Sequence, residues 1–267
     1  MPSCLLLADG QTRNSIDFDR QPYFSPLPID AFVEVEALER LLAAKNISVR
    51  RLRDAEAERD PVVLCSRFPL RSMTPDECRI AGTWIAQSFP FSRKTLNLAR
   101  LIIGCMSIYP QWTAVHLRME KDLMQLQDVR DIGLGTFTKQ QLQQATGHMS
   151  GISGLSAVYI ASGAREESYR QAVKELTDRC PHIAVKNKAD ILQPLPELWR
   201  ELEALSLEEQ ALVDWLVCLG APHFLGPHTS SFAYLAGYMR HYRGFERETT
   251  QLWPTYQPAW ESWFPRV

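Results

Sequence analysis

Residues 112–122 read WTAVHLRMEKD, an apolar run from Trp112 to Leu117 that passes directly into the charges of Arg118, Glu120, Lys121 and Asp122. A short apolar run of this length reads as a buried strand. From here the pattern becomes regular. A helix is expected at about 138–148, a strand at 156–161, a helix at 166–178 and a third strand at 183–186. Ser206-Leu-Glu-Glu209 is a capping box, in which hydroxyl and carboxylate satisfy each other's backbone N–H groups. It opens a helix with Leu212, Trp215, Leu216 and Leu219 on its inner face. A brief strand at 223–225 follows, then a helix at about 231–242 with Phe232, Leu235, Ala236 and Met239 inward. Strands alternating with helices imply an α/β fold with a parallel sheet covered on both faces. Ligands of such sheets bind beyond the carboxyl ends of the strands.

Upstream the alternation is lost. Cys4–Ala8 reads as a first buried strand, 9–31 as a long polar loop and 34–45 as a helix carrying Val35, Leu38, Leu41 and Leu42 on one face. Strands are expected at 47–52 and 62–65. Thr74-Pro75 starts a helix, since Pro at the first helical position loses no hydrogen bond. Ser92 opens another that ends at Pro110.

The 267 residues suffice for one large or two small domains, and 45% hydrophobic with 22% charged residues is ordinary for a globular chain. The net charge of −2 gives no electrostatic reason to expect nucleic acid or an anionic membrane as partner. A site for a phosphorylated ligand must therefore be a local array of donors. Six cysteines are scattered with no C-x-x-C pair, which argues against a zinc ribbon and leaves free thiols or disulfides open. The first residues lack the basic start and small-residue cleavage site of a signal peptide. No apolar stretch approaches the ~20 residues that span a bilayer.

Three features fall where ligands of α/β sheets bind. Arg118 follows the strand from Trp112 and would offer a planar fork of donors matched to a pyrophosphate, or be a solvated strand-exit charge. Gly226-Pro-His-Thr-Ser-Ser231 precedes a helix whose unpaired N–H groups, with two hydroxyls beside them, suit a phosphate; Thr229 or Ser230 could equally just cap that helix. Asp214 sits off the expected apolar stripe, either as an acceptor for a nucleotide base or sugar or as a solvated helix residue.

Together these stretches resemble a known family. HLRMEKD at 116–122 is similar to the H-L-R-x-E-K-D stretch of plant-type O-fucosyltransferases, and AVYIASG at 157–163 to their Y-L-A-S-G strand and turn. Residues 213–244, VDWLVCLGAPHFLGPHTSSFAYLAGYMRHYRG, resemble the V-D, S-S-F and R-x-Y-x-G segments of the same family. The HFLG and Ser230-Ser231-Phe232 spacing also resembles the animal protein O-fucosyltransferases. The resemblance spans roughly 112–245. It implies a GT-B-like fold of two Rossmann-like lobes, inversion at the sugar carbon, no metal and GDP-fucose as donor. It implies that Arg118 holds the β-phosphate and is catalytic, with Glu120 beside it. His116 would line the donor cleft and Asp214 contact the nucleoside, while Ser230, Ser231 and Phe232 would hold phosphates and shape the pocket. Plant relatives of the same fold resemble rhamnosyltransferases, so a UDP-sugar such as UDP-rhamnose is the alternative donor.

The family's Gly-rich G-x-x-N-Q turn has only Asp9-Gly10-Gln11-Thr12-Arg13-Asn14 as a counterpart. The expected division is therefore an abbreviated acceptor-side lobe at 1–110, a donor-binding lobe at 111–245 and an aromatic tail at 246–267 packing back on the N-terminal lobe. Expected partners are a nucleotide sugar and a protein or glycan acceptor. The compartment follows the same fork: ER or Golgi lumen if like the family, cytoplasm if the chain is complete as given. A nucleotide-sugar-binding module without turnover is the competing function.

Other motifs are weaker. Asp17-Phe-Asp19 is formally a D-x-D but has no strand before it, and a lone dipeptide does not make converging oxygens for a hard cation. His223 and His228 lack a third ligand at useful spacing. Gly133-Leu-Gly135 lacks the third glycine of a dinucleotide fingerprint, and Gly151-Ile-Ser153-Gly154 is not a nucleophile elbow.

Overall fold

The computed structural model describes residues 4–8, 31–45, 48–52, 75–120, 127–163, 166–228 and 230–253. Outside the described residues lie nearly all of the loop expected at 9–31, with Asp9–Asn14 and Asp17–Asp19, and the strand expected at 62–65. So do Lys121, Asp122, Thr229 and the tail aromatics Tyr256, Trp260, Trp263 and Phe264.

The chain divides into two compact units. The first takes in Met1–Cys78 and Ser88–Lys94. In it β1 (Cys4–Ala8) and β2 (Ser48–Leu52) pair in parallel, from Cys4↔Ser48 to Ala8↔Leu52, and α1 (Val35–Ala43) packs against β2. A bridge joins Val33 to Phe91, and the Glu34 carboxylate accepts from the Arg93 backbone N–H at 2.8 Å.

The second unit comprises Arg79–Gln87 and Thr95–Val267. Thus the greater parts of α2 (Pro75–Ser88) and α3 (Arg93–Met106) cluster with it. Side-chain size explains this. Gly82 lies so close to Tyr238 and Tyr242 that a Cβ would come within 2.6 Å of the Tyr238 hydroxyl, and Arg243 Nε donates to the Ala86 carbonyl at 2.7 Å.

Its sheet holds β3 (Trp112–His116), β4 (Ala157–Ala161), β5 (Ala184–Lys186), β6 (His223–Pro227) and β7 (Thr250–Trp253), in the order β5-β4-β3-β6-β7. Every pairing is parallel, from Trp112↔Ala157 on one side of β3 to Thr113↔His223 on the other. β3 is central and wholly buried, its polar Thr113 and His116 included, as a strand covered on both faces is. After β3 come α4 (Gln127–Ile132) and α5 (Leu134–Met149), then α6 (Glu166–Arg179), α7 (Lys188–Leu192) and α8 (Pro196–Glu203). α9 (Leu207–Gly220) and α10 (Ser231–Tyr242) flank β6 in sequence.

Alternation along the strands assigns the faces. Val115, Leu117, Val158, Ile160 and Leu225 join Leu142, Ala145 and Met149 of α5 and Ala172 and Leu176 of α6 in one core cluster. The other face meets α9 and α10.

Three features go beyond the expected elements. Residues 250–253 form β7 and extend this sheet, with Trp253 buried in the same core cluster. Gly237 leaves room for Leu252, since a Cβ there would lie 3.1 Å from its Cδ1. On α9 the buried face is shifted from the expected stripe: Leu216 and Leu219 are buried with Val213, Asp214, Val217 and Cys218, while Leu212 and Trp215 are half-buried. On α10 Leu235 is exposed, while Ala236 and Met239 are buried as expected.

Candidate functional site

The capping box at Ser206 forms as read, with Ser206 Oγ accepting from Glu209 N–H and Glu209 returning the bond. It fixes the start of the helix that carries Asp214. β3 and β6 then bring His116 and the α10 start together at the carboxyl edge of the sheet. His116 Nδ1 lies 3.1 Å from the Ala161 carbonyl oxygen and Nε2 2.9 Å from Ser230 Oγ. A carbonyl oxygen can only accept, so Nδ1 carries the proton, Nε2 accepts, and the Ser230 hydroxyl donates to it. Burial is the main cause that lowers the imidazole pKa to about 3, with the Arg118 charge adding to it and the Ala161 bond opposing. His116 is therefore neutral near pH 7.

Ser230 stands at the N-cap of α10, yet its side chain makes no capping bond. The first helical bond is Tyr234 N–H to the Ser230 carbonyl, so the N–H groups of Ser231, Phe232 and Ala233 have no acceptor within the helix. The hydroxyl expected to cap is turned to His116 instead. Phe232 stacks on the His116 ring, centroids 4.2 Å apart at 19°, and Ser231 is exposed. Gly226 permits this approach: a Cβ there would sit 2.8 Å from Ala233 Cβ and 3.4 Å from His116 Cβ.

Arg118 lies two residues past β3. Its Nη1 donates to Glu120 Oε2 at 2.8 Å, and the two side chains keep 30% and 21% of their surface exposed. Glu120 does more than pair: Oε2 also accepts from Met119 N–H at 3.0 Å, and Oε1 from Gly163 N–H at 2.8 Å. A Cβ at Gly163 would be 2.9 Å from that Oε1, so glycine is what lets the carboxylate reach this backbone. With three donors on it, Glu120 acts here as a clamp between the exits of β3 and β4.

Asp214 is 3% exposed, on the sheet side of α9 rather than in solvent. Its Oδ1 accepts from the Tyr159 hydroxyl at 2.6 Å and its Oδ2 from Lys188 Nζ, at the start of α7. Burial raises the Asp214 carboxyl above the usual range, against the lowering effect of Lys188 and Tyr159; the Glu120 charge pushes it up further. Burial likewise raises the Tyr159 hydroxyl, with Asp214 adding to it. Lys188 keeps 18% of its side chain exposed and pairs with this buried carboxylate, which also feels the Glu120 charge. Reading the sequence alone misses Lys188, and gives Tyr159 and Gly163 no role beyond their place in the AVYIASG strand and turn. Tyr159 looks like one more strand residue, and Lys188 is placed by the Asn187–Asp190 capping box that starts α7.

The R-x-Y-x-G motif proves architectural. Arg240 is fully buried; Nε donates to Thr250 Oγ1, Nη1 to the carbonyls of Cys218, Leu219 and Ala221, and Nη2 to Pro222 and Thr249. It stitches the C-terminal carbonyls of α9, where a cation is favoured, to α10 and β7. Gly244 has φ of +82°, a conformation side chains rarely adopt. Among the described residues no cluster of three or more His, Cys, Asp or Glu could hold a metal ion.

The described site is thus a set of fixed donors: a guanidinium held from one side, and helix N–H groups whose cap hydroxyl is engaged elsewhere. Such a set suits an anion whose charge grows during reaction.

No curated protein sequence matches the chain. Solved structures similar to it include POFUT1 in complex with GDP, at 14% identity and a TM-score of 0.46, covering 83% of this chain and 60% of that one. POFUT1 in complex with GDP-fucose is similar at 13% identity and a TM-score of 0.45, covering 80% and 56%. The chain spans well under two thirds of the length of these structures. Over residues 32–243, which hold the β3 exit, α9 and the α10 start described above, it matches the model of one family, and the chain belongs to the GDP-fucose protein O-fucosyltransferases.

Proposed function

We propose that this chain is a glycosyltransferase that takes fucose from GDP-fucose to a protein or glycan hydroxyl, with inversion and without a divalent cation. The observation that carries the reading is the His116–Ser230 hydrogen bond, which ties the strand exit bearing Arg118 to the open start of α10. Family membership supports the donor class.

Departure of GDP places new negative charge on the β-phosphate oxygens. Arg118 supplies two parallel donors to those oxygens, and the N–H groups of Ser231, Phe232 and Ala233 add a second, uncharged set. Both are in place before reaction, so they stabilise the developing charge more than the bound donor. His116, neutral and buried, shapes the wall and orients Ser230. Asp214, held by Tyr159 and Lys188, is the acceptor for the nucleoside side of the ligand. Glu120 serves as the clamp on Arg118 within this scheme.

Thermal-shift titration of the full chain against GDP, UDP, GDP-fucose and UDP-rhamnose tests the donor, because a ligand that binds only the folded state raises its midpoint. The expected result is stabilisation by GDP and GDP-fucose, unchanged by EDTA, together with GDP release once an acceptor is supplied. Selective stabilisation by UDP, or GDP binding abolished by EDTA, would refute the donor assignment. Binding of GDP-fucose with no GDP release under any acceptor would leave a binding module in place of an enzyme.

A further inference from the structure

The ladder between β3 and β4 ends at the pair His116↔Ala161, and its last backbone bond runs from Leu117 N–H to the Ala161 carbonyl at 3.1 Å. Arg118 is the next residue. Its N–H donates to Gln141 Oε1 at 2.9 Å, and its carbonyl accepts from Gln141 Nε2 at 2.7 Å. The side-chain amide of Gln141, on α5, thereby does for Arg118 what the peptide of a neighbouring strand does for the residues before it.

The consequence is visible in the packing. Val115, Leu117 and Met119 all enter the same core cluster, so the extended alternation runs on past the end of β3. Arg118 keeps the parity of His116 and is presented on the side of the α10 start. Residues 140, 141, 143 and 144 are all glutamine, but Gln140, Gln143 and Gln144 are exposed while Gln141 is 2% exposed. A buried amide must have both halves satisfied, and here both go to one residue.

We propose that Gln141 is a positioning residue for the transfer reaction, fixing the backbone of Arg118 while Glu120 fixes its guanidinium. The inference rests on the reading of Arg118 as the group that meets the leaving phosphate. Gln141 touches no reacting atom. It sets the direction from which the guanidinium arrives, and small misplacements of such a group are costly in rate.

The test uses the full chain with Gln141→Met, which keeps length and packing but loses both bonds. Gln141→Glu accompanies it, keeping the acceptor for Arg118 N–H and losing the donor to its carbonyl. Each is made alone and in an Arg118→Ala background, and kcat and donor KM for GDP release from GDP-fucose are read with the thermal midpoint. With Arg118 intact, Gln141→Met is expected to lower kcat by about 10- to 100-fold with little change in KM. In the Arg118→Ala background it should change kcat by less than about twofold, because there is no guanidinium left to position. Losses that add in full across the two backgrounds, or a kcat for Gln141→Met within about twofold of wild type, would overturn the inference. Should Gln141→Met not fold, Gln141→Glu runs the same cycle and the same two outcomes decide. Wild-type turnover in Arg118→Ala alone sinks the reading of the site itself, and is thereby told apart from a failure of Gln141.

Discussion

His116 and Ser230 stand 114 residues apart and share a hydrogen bond of 2.9 Å in which the serine hydroxyl donates. One consequence concerns stability. Ser230→Ala would leave His116 Nε2 as a buried acceptor with this bond removed, at a cost of roughly 1–3 kcal/mol. Ser231→Ala, at an exposed position, should stay within about 0.5 kcal/mol of wild type. Urea denaturation of the two variants checks this. Equal losses would mean that the hydroxyl of Ser230 matters no more than that of its neighbour.

A second consequence is pH dependence. The folded-state pKa of His116 is lowered to about 3 from the ordinary 6.5. Between those values the unfolded chain binds a proton that the folded chain refuses, so stability rises with pH across this window. It is lost as pH falls from about 6.5 toward 3. At its steepest the loss from this residue approaches about 1.4 kcal/mol per pH unit. His116→Gln should flatten the acid side of the stability curve, measured by denaturation between pH 6.5 and about 4. Parallel curves for both proteins would show that His116 does not carry the dependence.

The parallel sheet is legible because β3 and β4, buried along their whole length, read as short, largely apolar runs alternating with helices, and Arg118, Ser230 and Asp214 stand out by their places after strands or on helices. What escaped was set by partners distant in sequence. Gln141 is one of several glutamines in a row, and nothing local distinguishes the one that meets Arg118. Asp214 lies off the apolar stripe that the sequence shows, between Val213 and Trp215, so a solvated place is equally open to it; Tyr159 and Lys188, which decide its environment, lie 55 and 26 residues away. β7 is too short and too polar at Thr250 and Gln251 to announce a strand, and Arg240 beside it holds it in place.

That role gives a third expectation. Arg240→Lys keeps the charge but cannot reproduce a fork that reaches Thr250, Thr249 and the carbonyls from Cys218 to Pro222. Breaking such a buried charged network costs about 3–5 kcal/mol. The thermal midpoint should fall accordingly, while GDP affinity of the molecules that remain folded stays at the wild-type value. An Arg240→Lys protein of normal stability that has lost GDP binding would make Arg240 a ligand residue.

The last expectation separates the charge of Arg118 from its shape, and Glu120 as clamp from Glu120 as base. A guanidinium lays two donors across a phosphate, and lysine is a point charge that cannot. Because phosphate charge grows toward the transition state, Arg118→Lys should lose turnover by ~100- to 1000-fold and donor affinity much less. Ser231→Ala removes one hydroxyl and leaves the helix N–H groups, so its rate loss should be plainly smaller. Glu120→Gln keeps an oxygen for Met119 or Gly163 but weakens the hold on Arg118. A clamp predicts a loss of about tenfold in kcat, intermediate between the two, with the acid limb of the pH–rate profile unmoved. A general base predicts instead that this limb disappears along with nearly all turnover. If Arg118→Lys kept more than about a third of wild-type turnover, the charge alone would suffice. The arrangement of Gln141, Glu120 and Gly163 around that guanidinium would then serve the fold and not the reaction.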